Sequence, residues 1–119
     1  MRISVKTIHH INCNELKLVG KGLTEADFED VEKQVEELVE NNEVNVILNL
    51  EEVNVINSLG LKSLIKVFTT CRNHGGDMYI VNISDKISQV LLLTKLNTVL
   101  NIATSLNDAI NQFAIENES

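Results

Sequence analysis

The stretch EVNVILNLEEVNVINSLGLKSLIKVFTTCRNHGGDMYIVNI, residues 43–83, changes its apolar period twice. Val44, Val46, Leu48 and Leu50 alternate with other residues and share one face, which is a strand pattern. Ile47 on the opposite face implies burial on both sides, as in a sheet covered by helices. EEVNVIN then leads into Asn57-Ser58-Leu59-Gly60, and from Ser58 onward the spacing is helical. Leu61, Leu64, Ile65, Phe68 and Cys71 or Arg72 recur as one apolar stripe. The helix is expected to stop at RNHGG. Gly75 can take the left-handed position after its end, with Arg72 and His74 near the negative end of the dipole. DMYIVNI follows as a second strand. Strand, helix and strand in succession imply parallel strands joined by a right-handed crossover.

The flanks extend this unit. RISVKT and ELKLVGK read as two strands, with Ile3 and Val5, then Leu16 and Leu18, alternating with polar neighbours. The polar link HHINCN makes them an antiparallel hairpin. TEADFEDVEKQVEELVENN carries Phe28, Val31, Val35 and Leu38 at helical spacing. Thr24 and Asp27 form a capping-box start, and the end falls near Asn41-Asn42. SDKISQVLLLTK is a short helix capped by Ser84, with Ile87, Val90 and Leu91 facing in. TVLNIAT is a last strand. SLNDAINQFAIE is a closing helix with Ser105 and Asp108 as its box and Leu106, Ala109, Ile110 and Phe113 as its stripe. The expected fold class is α/β, order ββαβαβαβα, with a mixed, mostly parallel sheet. Residues 1–119 are read as one domain with a core of about 2–115 and a frayed C-terminal tail. Whether the helices cover one face or both is open.

Composition narrows the function. At 119 residues and 44% hydrophobic content, the chain can bury a real core. With 3% aromatics that core is aliphatic. The net charge of −7 opposes a phosphate backbone as partner, so no nucleic acid is expected. Nine acidic residues and one Lys lie between Glu25 and Glu43, a pattern that suits a solvated helix face or a docking face for a basic partner. No apolar run reaches the roughly 18–20 residues that span a membrane, and MRISVKTIHH lacks a signal-peptide core. A cytoplasmic protein without membrane insertion is the expectation. Cys13 and Cys71 fit neither a disulfide framework nor a four-ligand zinc site, and are expected as reduced thiols.

Enzyme signatures are missing: no GxGxxG after the first strand, no GxxxxGK[ST], no HExxH and no GxSxG. His9, His10 and Cys13 make a local HHxxC cluster without a fourth ligand nearby, and a polar loop is the simpler reading. No enzyme activity, metal or cofactor is expected. Ser58 remains. It, or Asn57 one residue earlier, can cap the following helix, for about 1 kcal/mol. A hydroxyl at a strand-to-helix junction is also open to a kinase. A phosphate there would add about −1.5 to −2 charge at the positive end of a helix. Gly60 would let a partner backbone approach, and an exposed Leu59 would add an apolar contact.

The stretch from Val46 to Ser84 resembles the core of STAS domains, particularly bacterial anti-sigma factor antagonists. In that family a strand of the type vvlDLs leads through a short extended segment to D-S-[ST]-G and an amphipathic helix. Here ILNLEEV matches the strand, NSLG occupies the D-S-[ST]-G position and RNHGGDMYIVN the turn and next strand. The pattern VLLLTKLNTVLNIATSLNDAI resembles the family's closing strand and helix, so the likeness covers about residues 2–115. The resemblance implies a protein that binds an anti-sigma factor, itself a serine kinase, and frees a sigma factor. Phosphorylation at Ser58 would end the binding and a phosphatase would restore it. The implied partner-binding residues are Asn57, Leu59 and Gly60, with a second region in the turn at Gly20, Lys21, Gly22, Leu23 and Thr24. The alternative is a STAS scaffold or accessory subunit of a stress-signalling or transport complex without a phospho-switch. Oligomeric state is left open. This chain departs from the pattern at four points. Asn57 replaces Asp, Leu59 replaces Ser or Thr, GKGLT stands for GelD, and Lys95 stands where Gly is common after the third helix. If Lys95 is left-handed, it costs up to about 1 kcal/mol.

Overall fold

The computed structural model, which describes residues 3–22 and 25–118, folds the two N-terminal alternations into an antiparallel hairpin. Its strands are β1 (Ser4–His9) and β2 (Asn14–Gly22), in register from Ser4 opposite Val19 to His9 opposite Asn14. Next come a 3-10 turn at Glu25–Phe28 and α1 (Glu29–Glu40), which ends at Asn41 as the spacing predicts. The expected capping residue Thr24 lies outside the described residues. The central unit is β3 (Asn45–Ile56), α2 (Ser58–Asn73) and β4 (Asp77–Val81). It is followed by α3 (Asp85–Leu93), β5 (Asn101–Ile102) and α4 (Leu106–Glu118). The sheet order is β1-β2-β3-β4-β5, parallel everywhere except at the first pair.

Two apolar layers settle which faces the helices cover. Val46, Leu48 and Leu50 of β3 pack with Leu16, Leu18, Met78 and Ile80 under α1, α2 and α3. Ile47 points the other way and joins Val81, Ala109 and Phe113 under α4 alone. Tyr79 meets Phe113 edge to face, with ring centroids 5.1 Å apart. Both faces of the central strands are therefore buried, as the position of Ile47 implies.

Local signals hold at most helix ends. Ser84 Oγ accepts the Ile87 N–H at 3.2 Å, and Ser105 Oγ accepts the Asp108 N–H at 3.1 Å. Gly75 has φ +86° after the end of α2, and its N–H donates to the Arg72 carbonyl. Cys71, not Arg72, completes the apolar stripe of α2. Arg72 is exposed and lies over the Phe68 ring at 5.7 Å. The last strand is shorter than TVLNIAT suggests: Leu96–Thr98 form a 3-10 turn, leaving Asn101–Ile102 as β5. That turn begins at Lys95, whose φ of +62° is left-handed. A side chain there is strained against its own backbone. Lys95→Gly is expected to raise stability by up to about 1 kcal/mol, and thermal unfolding should move up by about 2–4 °C.

Burial accounts for the two thiols. It pushes Cys13 up to about 11, with the Glu15 carboxylate adding to the shift. It pushes Cys71 up to about 12, with Asp77 adding. Both stay protonated at neutral pH, and only a thiolate attacks. Alkylation of the folded protein at pH 8 is expected to run at least about 100-fold slower than that of a free thiol. Mass spectrometry over a time course reads this directly.

Candidate functional site

The path of β3 decides where Ser58 stands. Between Lys17 and Val19 β2 advances two residues, while β3 advances three, from Asn49 to Glu52. The same mismatch recurs between Gly20–Gly22 and Val53–Ile56. Each shift places an extra residue in β3, a β-bulge. Strict alternation would put Leu50 and Val53 on opposite faces. The bulges return Leu50, Val53 and Ile56 to one core, where none is more than 5% exposed. The strand thereby runs on past the body of the sheet and delivers Asn57-Ser58 at its far end.

A buried polar chain holds the first bulge. Asn49 Oδ1 accepts the Glu51 N–H at 3.1 Å and the Asn82 Nδ2 at 3.2 Å. Asn49 Nδ2 donates to Glu15 Oε2 at 2.9 Å, and His10 Nε2 lies 3.0 Å from Glu15 Oε1. Glu15 and Asn49 are each 3% exposed, so the bond between them is made out of water, while the arms to His10, Glu51 and Asn82 are partly buried.

At the start of α2 the capping choice left open by the sequence resolves to Asn57. Its backbone is extended, at φ −104° and ψ −172°, and its side chain accepts the Gly60 N–H at 3.1 Å. The Leu61 N–H closes the first helical turn on the Asn57 carbonyl at 2.9 Å. Ser58 is thus the first helical residue, exposed, with the cap made by its neighbour. Leu59 is 41% exposed beside it. Gly60 is buried within the first turn, so a partner reaching this end meets Asn57, Ser58 and Leu59 first. No acidic residue occupies the first turn, and Lys62 is exposed just beyond it.

The second expected region is not a turn. Gly20, Lys21 and Gly22 belong to β2, because the long β3 supplies backbone partners as far as Ile56. Gly20 pairs with Val53 at φ +137°, a conformation that side chains rarely adopt. Gly22 stands opposite Ile56, so the strand end lies one strand away from Asn57-Ser58 and brings the exposed Lys21 to the same edge. Leu23 and Thr24 lie outside the described residues.

The HHxxC cluster is spoken for. His9 Nδ1 meets Asn14 Oδ1, His10 meets Glu15, and Cys13 is buried. Among the described residues no three His, Cys, Asp or Glu side chains are grouped to hold a metal ion. Among them, too, no helix is long and apolar enough to cross a membrane. Periodicity did not single out Glu15, Asn49 or the far end of β3. The available signals were a carboxylate and an amide set inside apolar strands, and a strand continuing past Leu50 with the wrong spacing.

Comparisons with known proteins bear on this geometry. No curated protein sequence matches the chain. Solved structures do. An anti-sigma factor antagonist from Mycobacterium paratuberculosis is 18% identical, with a TM-score of 0.78 and 94% of each chain covered. The phosphorylated form of the Bacillus cell fate determinant SpoIIAA is 15% identical, with a TM-score of 0.67, covering 92% of this chain and 97% of that one. A sulfate transporter family protein from Wolinella succinogenes is 14% identical, with a TM-score of 0.74, covering 94% and 93%. At such identities the likeness shows the fold alone. The sequence itself matches the STAS domain family model over residues 3–109, and the chain belongs to that family.

Proposed function

We propose that this protein is an anti-sigma factor antagonist switched by phosphorylation of Ser58. It binds an anti-sigma factor that is also a serine kinase, and so releases a sigma factor. The kinase then modifies Ser58 and ends the binding, and a phosphatase restores it. The chain does no chemistry of its own in this scheme, and it works in the cytoplasm. The observation that carries the reading is an exposed Ser58 hydroxyl at the first turn of α2, with Asn57 doing the capping. A phosphate added there meets free helix N–H groups and the positive dipole end, so the helix keeps its start while the outer surface gains charge. The likeness to SpoIIAA in its phosphorylated form supports the same reading.

A second reading is a STAS subunit of a transport complex without the switch. It is favoured by the likeness to the sulfate transporter family protein, and by Asn57 and Leu59 standing where the antagonist pattern has Asp and Ser or Thr. Incubation with the cognate anti-sigma kinase and ATP, followed by peptide mapping, separates the two. One phosphate on Ser58, lost in Ser58→Ala, is expected. A kinase that binds the protein yet never modifies it, together with a transporter as the main partner, would favour the second.

A further inference from the structure

One face of α2 carries an uncommitted charge. Ser58, Lys62 and Lys66 are four residues apart, so their side chains form one row along the helix. The row faces α1: Lys62, Ser63 and Lys66 line a cleft of about 370 Å³ together with Ala26, Glu29 and Glu32. Lys66 is committed there, its Nζ 3.3 Å from Glu32 Oε2. Lys62 is exposed, and among the described residues its ammonium has no ion pair or hydrogen bond. The Ser58 hydroxyl at the head of the row is equally uncommitted among those residues, because Asn57 makes the cap.

Residues one helical turn apart have Cβ atoms about 5–6 Å from each other, well within the reach of a lysine side chain. An acidic group four residues before a lysine is the favourable order along a helix. A phosphoryl group on Ser58 adds about −1.5 to −2 charge and three acceptor oxygens at that spot. Asn57 is neutral, and no acidic residue stands in the first turn of α2 to compete for the ammonium. The carboxylates that could compete, Glu29 and Glu32, lie across the cleft on α1, and Glu32 already holds Lys66.

We propose that Lys62 is the counter-ion of phosphorylated Ser58. The phosphate draws the ammonium back along the row to the start of α2. The cleft now holds two carboxylates against two ammonium groups, and the move leaves two against one. Modification of Ser58 is thereby carried to the surface between α1 and α2, where the charge goes from balanced to net negative. The inference rests on the reading of Ser58 as the switch and supplies its local consequence. A partner that covers the helix start and the cleft meets a changed charge at both places. Lys62 is a positioning residue in this account and does no chemistry.

The test uses the full chain with phosphoserine incorporated at position 58 during translation, so that no kinase is needed. Phosphorus NMR follows the second ionisation of the phosphate, which lies near about pH 6 for an unpaired phosphoserine. At about 20 mM salt that ionisation is expected about half a unit lower in the wild type than in Lys62→Gln, because the ammonium favours the dianion. Raising the salt to about 500 mM should erase most of the difference. Lys62→Arg should keep the low value, and the Lys62 side-chain signals should move through the same pH as the phosphate. Lys66→Gln and Lys21→Gln remove the same charge nearby and should each shift the ionisation by less than about 0.2 unit. A titration indifferent to Lys62→Gln, or an equal response to Lys66→Gln or Lys21→Gln, would overturn the pair and leave phosphorylation of Ser58 standing. The expected titration, together with a cognate kinase that never modifies Ser58, would keep the pair and overturn the switch.

Discussion

Replacing Gly76 by alanine is expected to cost about 3 kcal/mol or more and to lower the melting temperature by roughly 10 °C or more. A Cβ at this position would lie 1.9 Å from the Val44 carbonyl oxygen and 2.5 Å from its carbonyl carbon. Those atoms are backbone at the entry to β3, directly beside the entry to β4, where Asn45 pairs with Asp77. Neither strand can yield without disturbing the central parallel pair. The adjacent glycine makes a useful control. At Gly75 a Cβ meets nothing within 4 Å, and the φ of +86° is the only obstacle. Gly75→Ala should therefore cost about 1–2 kcal/mol, the ordinary penalty for a left-handed side chain. Denaturant unfolding of the two variants should rank Gly76→Ala well below Gly75→Ala.

The second large effect is expected at Asn49. Asn49→Asp keeps the oxygen that accepts from Glu51 and Asn82, but it sets a carboxylate oxygen where Nδ2 now donates to Glu15 at 2.9 Å. Two buried carboxylates would then face each other with only His10 at hand. An uncompensated buried charge of this kind costs about 3–5 kcal/mol. Glu15→Gln in the same chain should recover most of the loss, because the Gln amide can donate to the new carboxylate. Stability measured for the four members of that cycle gives the coupling directly. The buried Glu15 of β2 supplies a physical reason for an amide donor at Asn49. Because Asn49 also holds the bulge of β3, the single variant should loosen the strand that presents Ser58.

Much of this was legible in the sequence, and the misses have physical causes. Period-two and helical spacings placed the hairpin, α1, α2 and α4, because each buries a single stripe or face. Ser84 and Ser105 were readable as caps because the side chain and its target N–H lie three residues apart. The full length of β3 was not readable. Leu50, Val53 and Ile56 are three apart, and only the backbone bulges make that spacing a strand face. For the same reason Gly20–Gly22 read as a turn when they are the partner of that hidden strand end. The assignment of α4 to the opposite face depends on which side of the sheet Ile47 and Val81 occupy once the strands are ordered. At the site, Asn57 and Ser58 were equal as caps on paper, and backbone geometry decided between them.

The central claim is that the surface around Ser58 binds an anti-sigma kinase only while the hydroxyl is free. Calorimetric titration of that kinase with the unmodified protein, and with protein phosphorylated at Ser58, tests it most directly. The account predicts tight binding of the first and at least about 100-fold weaker binding of the second, a difference of about 2.7 kcal/mol. Equal affinity of the two forms would contradict it.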